Sequence, residues 1–262
     1  MALLRLEHTP ETIKVCTPLV MILPEPRNIS NASLRERTVL TLLHGLSDDA
    51  SAWTRYSSIE TVANEYGLVV VMPSVGRSFY TDQPNGQAYF SYLMEELPQY
   101  LEDVFALRPP REKTLIAGLS MGGYGAFKAA LNYPERYCAA ASFSGLLSLD
   151  ILKANPDDPR QDEFRHIFGD LDQLPGGEHD PMVWLRKGAQ NPAALPQLTV
   201  ACGYQDDLFP VNQKFYAACQ EANIPVDYIE EDGKHDWYFW DRQIKRFLKK
   251  VLGDPPGKKD GK

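Results

Sequence analysis

Three short, unbroken apolar runs constrain this chain more than any other feature: TVLTLLH (38–44), LVVVMP (68–73) and KTLIAG (113–118). None shows the alternation of a half-exposed strand, and each is shorter than an ordinary helix. They read as strands buried on both faces, the environment of a parallel sheet covered by helices. Weaker runs extend the set, so strands are expected over 12–23, 38–43, 68–72, 114–117, 139–143, 198–202 and 226–230. Between them lie segments of helical length and amphipathic spacing, at about 87–104, 121–132, 211–222 and 237–251. Strands alternating with helices predict a doubly wound α/β fold. The earliest strand has no helix after it, so the sheet is expected to begin with an antiparallel portion.

A length of 262 residues suits one large α/β domain, and 44% hydrophobic with 24% charged residues is the composition of an ordinary globular protein. We expect a single domain over 1–252. The stretch 146–191 carries Pro156, Pro159, Pro175, Gly176, Gly177 and Pro181 between short helical pieces. It is too long for a plain loop and reads as a cap inserted over the strand ends. The tail 253–262, GDPPGKKDGK, is polar and expected to be disordered. A net charge of −8 argues against nucleic acid or an anionic membrane as partner. No run of about 18 apolar residues predicts a membrane span. Arg5, Glu7 and His8 interrupt the start before the apolar core of a signal peptide can form, which points to the cytoplasm. Cys16, Cys138, Cys202 and Cys219 lack metal or redox spacing and are expected as free thiols, mostly buried. No cluster has ligand spacing, so neither metal nor cofactor is expected. A homo-oligomer is left open.

The chemistry concentrates in Gly118-Leu119-Ser120-Met121-Gly122, directly after the strand TLIA and directly before the helical run GYGAFKAALNY. This is a nucleophile elbow in its required strand–turn–helix setting. Its glycines answer a steric need, because side chains flanking the serine would meet neighbouring backbone. The following helix aims its N-terminal amides at the site where an oxyanion would develop. A serine hydroxyl needs a base, and the base needs an orienting group. With this elbow they follow in the order Ser, Asp/Glu, His. Of the histidines after Ser120, His166 and His179 fall in the insertion, whereas His235 lies between the last strand and the last helix. That is the strand edge where α/β sites form, so His235 is the expected base. The loop YQDDLFPVN offers Asp206 and Asp207 as the acid, and the local chemistry does not separate them. Met121 and either Leu46 or Ser47 are expected to supply the oxyanion amides. His44 ends a buried strand and is expected to hydrogen-bond structurally. Phe79, Tyr80 and Trp237 lie near strand ends and are candidates for lining the substrate pocket.

The stretches HGLSDDASAW, VMPSVGRSFYTD, REKTLIAGLSMGGYGAFKAALNYPERYCAAASFSG, CGYQDDLF and GKHDWYFW occur in that order. Together they resemble the esterase D / S-formylglutathione hydrolase branch of the α/β hydrolases, and within it the bacterial tributyrin esterases. The resemblance runs from about Ile13 to the last helix. It implies an α/β-hydrolase fold, a mostly parallel sheet with helices on both faces and a small cap. It implies a serine carboxylesterase acting on short-chain acyl esters through an acyl-enzyme. It places the nucleophile on Ser120, the base on His235, the acid on Asp206 (three residues after Gly203) and the oxyanion amides on Leu46 and Met121. The segment FRHIFGDLDQLPGGEHDPMVWL departs from the family pattern, so substrate choice does not follow from the resemblance. The alternatives are S-formylglutathione hydrolysis, feruloyl or acetyl esterase action on acylated carbohydrates, and acyl transfer as in the mycolyltransferases. A non-catalytic scaffold is disfavoured, because every part of a triad is present.

Overall fold

The computed structural model describes residues 1–25, 37–154 and 156–256. Among the described residues eight strands form one sheet: β1 (Ala2–His8), β2 (Thr17–Leu23), β3 (Val39–Leu43), β4 (Val69–Pro73), β5 (Thr114–Leu119), β6 (Ala139–Phe143), β7 (Gln197–Gly203) and β8 (Val226–Glu231). Their spatial order is β1-β2-β4-β3-β5-β6-β7-β8. From β4 onward every pairing is parallel, while β2 runs antiparallel to both β1 and β4. The expected antiparallel start is therefore present.

Its outermost strand, β1, was not expected. The sequence carries a usable signal, because Leu4, Leu6 and His8 alternate with Arg5 and Glu7, the period of a half-exposed edge strand. The strand expected over 12–23 begins only at Thr17. Before it the chain turns, with Lys14 in the left-handed region at φ 53° and the Thr12 amide and hydroxyl on the Glu96 carboxylate.

Helices cover both faces. On one lie α1 (Ala52–Tyr56), α2 (Ile59–Tyr66) and, from the end of the described chain, Trp237–Leu252. Trp53, Ile59, Phe239, Ile244 and Phe247 pack there against β3, β5 and β6. The other face carries α3 (Tyr89–Ser91), continued through a π turn (Tyr92–Glu96) into α4 (Leu97–Phe105), and the long-buried α5 (Met121–Asn132). The π turn precedes Pro98, which cannot donate to Met94 O; Arg136 bonds that carbonyl instead.

Between β6 and β7 the chain makes α6 (Asp150–Ala154), α7 (Gln161–Phe168) and α8 (Pro181–Gly188). Aromatic contacts fix this segment to the rest: Trp184 lies 5.1 Å from Tyr124 of α5, and Phe168 lies 5.3 Å from Phe79, between ring centroids. Helix α9 (Phe209–Glu221) joins β7 to β8, and α10 (Trp237–Leu252) ends at Gly253 with φ 78°. Most of the tail expected to be disordered, 257–262, lies outside the described residues.

Candidate active site

Ser120 follows β5 at the carboxyl edge of the sheet, with φ 51° and ψ −117°, a conformation that L residues rarely adopt. The surrounding backbone enforces it. The Ser120 amide donates to Phe143 O at 2.9 Å, and Ser120 O accepts from Tyr124 N at 3.1 Å, the first turn of α5. Glycine is required on both sides. A Cβ on Gly118 would sit 2.3 Å from Gly122 O, and one on Gly122 would sit 2.5 Å from Leu43 O. The turn is therefore tight enough to press the first turn of α5 against the end of β3.

Further along the same carboxyl edge, a long separation in sequence closes. Asp206 leaves β7 and His235 leaves β8, 29 positions apart, yet His235 Nδ1 lies 2.9 Å from Asp206 Oδ2. The β7–β8 pairing continues past the strand ends: Tyr204 N bonds Glu231 O at 2.9 Å and Gln205 N bonds Gly233 O at 3.0 Å. The Gln205 side chain closes the same junction by accepting from Gly233 N at 2.8 Å. Gly203 and Gly233 make the approach sterically feasible, since a Cβ on Gly203 would lie 2.1 Å from Gly233 O.

Geometry separates the adjacent aspartates that the local chemistry left open. The Asp206 side chain is fully buried and paired with His235, whose own side chain is 37% exposed. Asp207 is exposed. Burial alone would raise the Asp206 carboxyl. The hydrogen bond and charge of His235, the Ser144 hydroxyl and the Leu208 amide outweigh it and hold the group below the ordinary carboxylate range. The Asp206 carboxylate accepts from His235 Nδ1–H, which leaves Nε2 as the free, lone-pair-bearing nitrogen.

Beside the serine turn, the β3–α1 loop and the start of α5 present two amides. Among the described residues neither Leu46 N nor Met121 N has a hydrogen-bond partner, and the Ser120 hydroxyl has none. His44 sets the Leu46 amide. Its Nε2 accepts from Val75 N at 3.1 Å, so the proton sits on Nδ1, which donates to Gly45 O at 2.7 Å. A trans peptide is planar, so fixing Gly45 O toward the ring turns Leu46 N–H the opposite way. Complete burial pushes the His44 imidazole down to about 4, against the opposing hydrogen bond to Gly45, so the ring stays neutral in this role.

The pocket candidates divide. Phe79 is buried and packs against Tyr124, Phe164 and Phe168. Tyr80 is fully buried, with its hydroxyl on His44 O at 3.0 Å, and so braces the strand end from beneath. Both sit at φ near 50°, a strain held by Phe79 N on Met121 Sδ and Tyr80 N on Ser78 Oγ. Trp237 stands 5.0 Å from Trp53 and borders an open groove of about 760 Å³ with Arg55, Tyr56 and Tyr238. Two neighbours escaped the sequence reading. Ser144 and Trp240 are hydrogen-bonded to each other beside Asp206. Ser144-Gly145 follows a strand at the same carboxyl edge, which is the signal that could have pointed to it.

Residues 16–251 match the Esterase family, described as "Putative esterase". An acetyl esterase of Caldicellulosiruptor saccharolyticus is 30% identical over 93% of this chain and 96% of its own. FphF, a fluorophosphonate-binding serine hydrolase of Staphylococcus aureus, superposes with a TM-score of 0.87 at 34% identity, covering 97% of this chain and 99% of that one. The S-formylglutathione hydrolase FrmB of the same organism gives 0.84 at 34% identity, over 95% and 98%. Matched along nearly its whole length in sequence and in structure, the chain belongs to the Esterase family, in the esterase D / S-formylglutathione hydrolase branch of the α/β hydrolases, and is a carboxylic ester hydrolase.

Proposed function

We propose that this esterase hydrolyses short-chain acyl esters, acetyl to butyryl and tributyrin-like, through an acyl-enzyme on Ser120. His235 Nε2 takes the Ser120 proton as Oγ attacks the carbonyl carbon. The tetrahedral oxyanion is met by the Leu46 and Met121 amides, and collapse expels the alcohol, which receives the proton from His235. Water then attacks the acyl-enzyme with His235 again as base, releasing the acid and restoring Ser120. Asp206 holds the Nδ1–H tautomer and stabilises the imidazolium while it exists. The observation that carries this reading is the 2.9 Å Asp206–His235 pair at the same carboxyl edge of the sheet as the strained serine turn.

The segment 146–191 acts as a small cap in this reading. Its Phe164 and Phe168 pack on Phe79 and shorten the space on the acyl side, so each methylene beyond the pocket forfeits about 0.8 kcal/mol of burial. A thioester reading has its own support in the 34% identity to the S. aureus S-formylglutathione hydrolase. One experiment tests both: p-nitrophenyl esters of rising acyl length, run beside S-formylglutathione and acetylated sugars. Highest kcat/KM on acetyl to butyryl esters supports the proposal. Rates that climb to octanoyl and beyond refute the short pocket, and a large preference for S-formylglutathione moves the assignment to the thioester.

A further inference from the structure

Ser144 follows β6 at the carboxyl edge of the sheet, fully buried and with φ 50°. Its amide bonds Ala201 O at 2.7 Å, which ties the turn to β7 just below the Asp206 loop. Trp240, on the first turns of α10, donates its indole Nε1–H to Ser144 Oγ at 3.0 Å. An indole nitrogen can only donate, so the Ser144 oxygen is the acceptor and its single proton must go elsewhere. Two groups lie within its reach, the Asp206 carboxylate and the Cys202 sulfur. Burial pushes the Cys202 thiol far up, so it stays a neutral thiol and a weak acceptor. The ionised carboxylate is the stronger partner. Trp240 also meets the base directly: its ring stands perpendicular to the His235 imidazole, with centroids 4.9 Å apart.

We infer that Ser144 and Trp240 are positioning residues for the acid–base pair, a relay in which the indole N–H polarises the Ser144 hydroxyl onto Asp206 while the indole ring holds the face of His235. The inference rests on reading Asp206 as the triad acid. In this relay the carboxylate is held by His235 Nδ1–H, Leu208 N–H at 2.8 Å and the Ser144 hydroxyl together. A carboxylate fixed from several directions cannot rotate away when the imidazole swings between serine and leaving group. The strained backbone of Ser144 has the same explanation, since a turn in the left-handed region is what points a side chain from β6 across to the β7 loop.

The test uses the whole enzyme. Ser144→Ala should lower kcat roughly tenfold with KM changed by less than about twofold, because the lost bond acts on the transition state and not on substrate binding. Ser144→Gly should show the same kcat loss while relieving the backbone strain, so it guards against a folding defect in the alanine variant. Trp240→Phe keeps a ring against His235 but removes the N–H, and should lower kcat severalfold. The downfield proton resonance of the His235 Nδ1–H should shift or broaden in all three, which a merely structural role would not produce. In an Asp206→Asn background Ser144→Ala should cost nothing further, the signature of residues acting through one another. Wild-type kcat and an unmoved resonance in folded Ser144→Gly and Trp240→Phe overturn the relay while Asp206→Asn and His235→Ala remain inactive. Near-normal activity in Asp206→Asn and His235→Ala overturns the triad reading itself.

Discussion

The proposed nucleophile and its proposed acid–base partners are built in opposite ways. Ser120 is placed by five consecutive residues, with the constraint supplied by Gly118 against Gly122 and by the hydrogen bond to Phe143 O. Asp206 and His235 are placed by two strands, a continuing ladder beyond their ends, and the Gly203–Gly233 approach. The first is mainly a local backbone device carried by a short motif, with β3 and β6 packed against it. The second is a tertiary junction in which no single loop holds the geometry. Damage should therefore be all-or-none at the elbow and graded at the junction.

The largest effect tests the elbow. Ser120→Ala should reduce kcat by about 10⁴-fold or more with the thermal transition unchanged, because the serine sits on a turn and loses only a hydroxyl. A variant retaining even a tenth of wild-type turnover would remove Ser120 from the mechanism.

Next come the neighbouring carboxylates. Asp206→Asn should cost up to about 10⁴-fold in kcat, since the amide keeps the shape but permits the wrong imidazole tautomer. Asp207→Asn, altering an exposed side chain, should stay within about tenfold. Steady-state kinetics with the reverse ranking would shift the acid by one residue and undo the geometric distinction drawn between them.

Gly203→Ala should fall between these. Its Cβ would enter the space of Gly233 O, so the junction must open. Overpacking of this kind costs about 1–3 kcal/mol of stability. Turnover should drop roughly 10²-fold as His235 moves off line. Full activity in this variant would mean that the Asp206–His235 distance does not depend on the glycine approach.

The smallest effect on turnover is expected from Lys128, on α5 about two turns beyond Ser120. Burial pushes its ammonium down to about 7, opposed by the nearby charges of Asp82 and Glu178. Between about 7 and the ordinary lysine value the unfolded chain binds a proton that the folded chain does not, so this group's contribution to stability rises with pH across that window. Lys128→Met removes the dependence. The melting temperature of wild type relative to the variant should rise by a few degrees between about pH 7 and pH 9. Thermal scans showing a pH-independent difference would contradict the buried-amine reading, and kcat should change by less than about twofold.

Much of the architecture was legible because buried parallel strands leave continuous apolar runs. The seven expected strands all appear, with β2 shortened at its start by the left-handed turn at Lys14. The edge strand β1 escaped notice because its five alternating positions also read as a polar interruption. Helices α1 and α2 escaped for another reason. Their segment is short and broken at Ser57 and Ser58, and α2 is held by packing of Ile59, Val62 and Ala63 as well as by the Ser58–Asp241 bonds to α10. Such contacts leave no local period to find.

By itself the sequence determined the sheet-and-helix alternation, the serine and its turn, and the histidine at the last strand edge, because each follows from short-range backbone sterics or from burial on both faces. The tertiary structure decided which of two adjacent aspartates meets the imidazole, that His44 turns the Leu46 amide, and that Ser144 and Trp240 stand against Asp206 and His235. Those outcomes depend on directions and on separations of a few ångström between loops far apart in the chain. They are settled only when β6, β7, β8 and α10 have packed, since a hydrogen bond is a statement about two groups and a sequence position describes one.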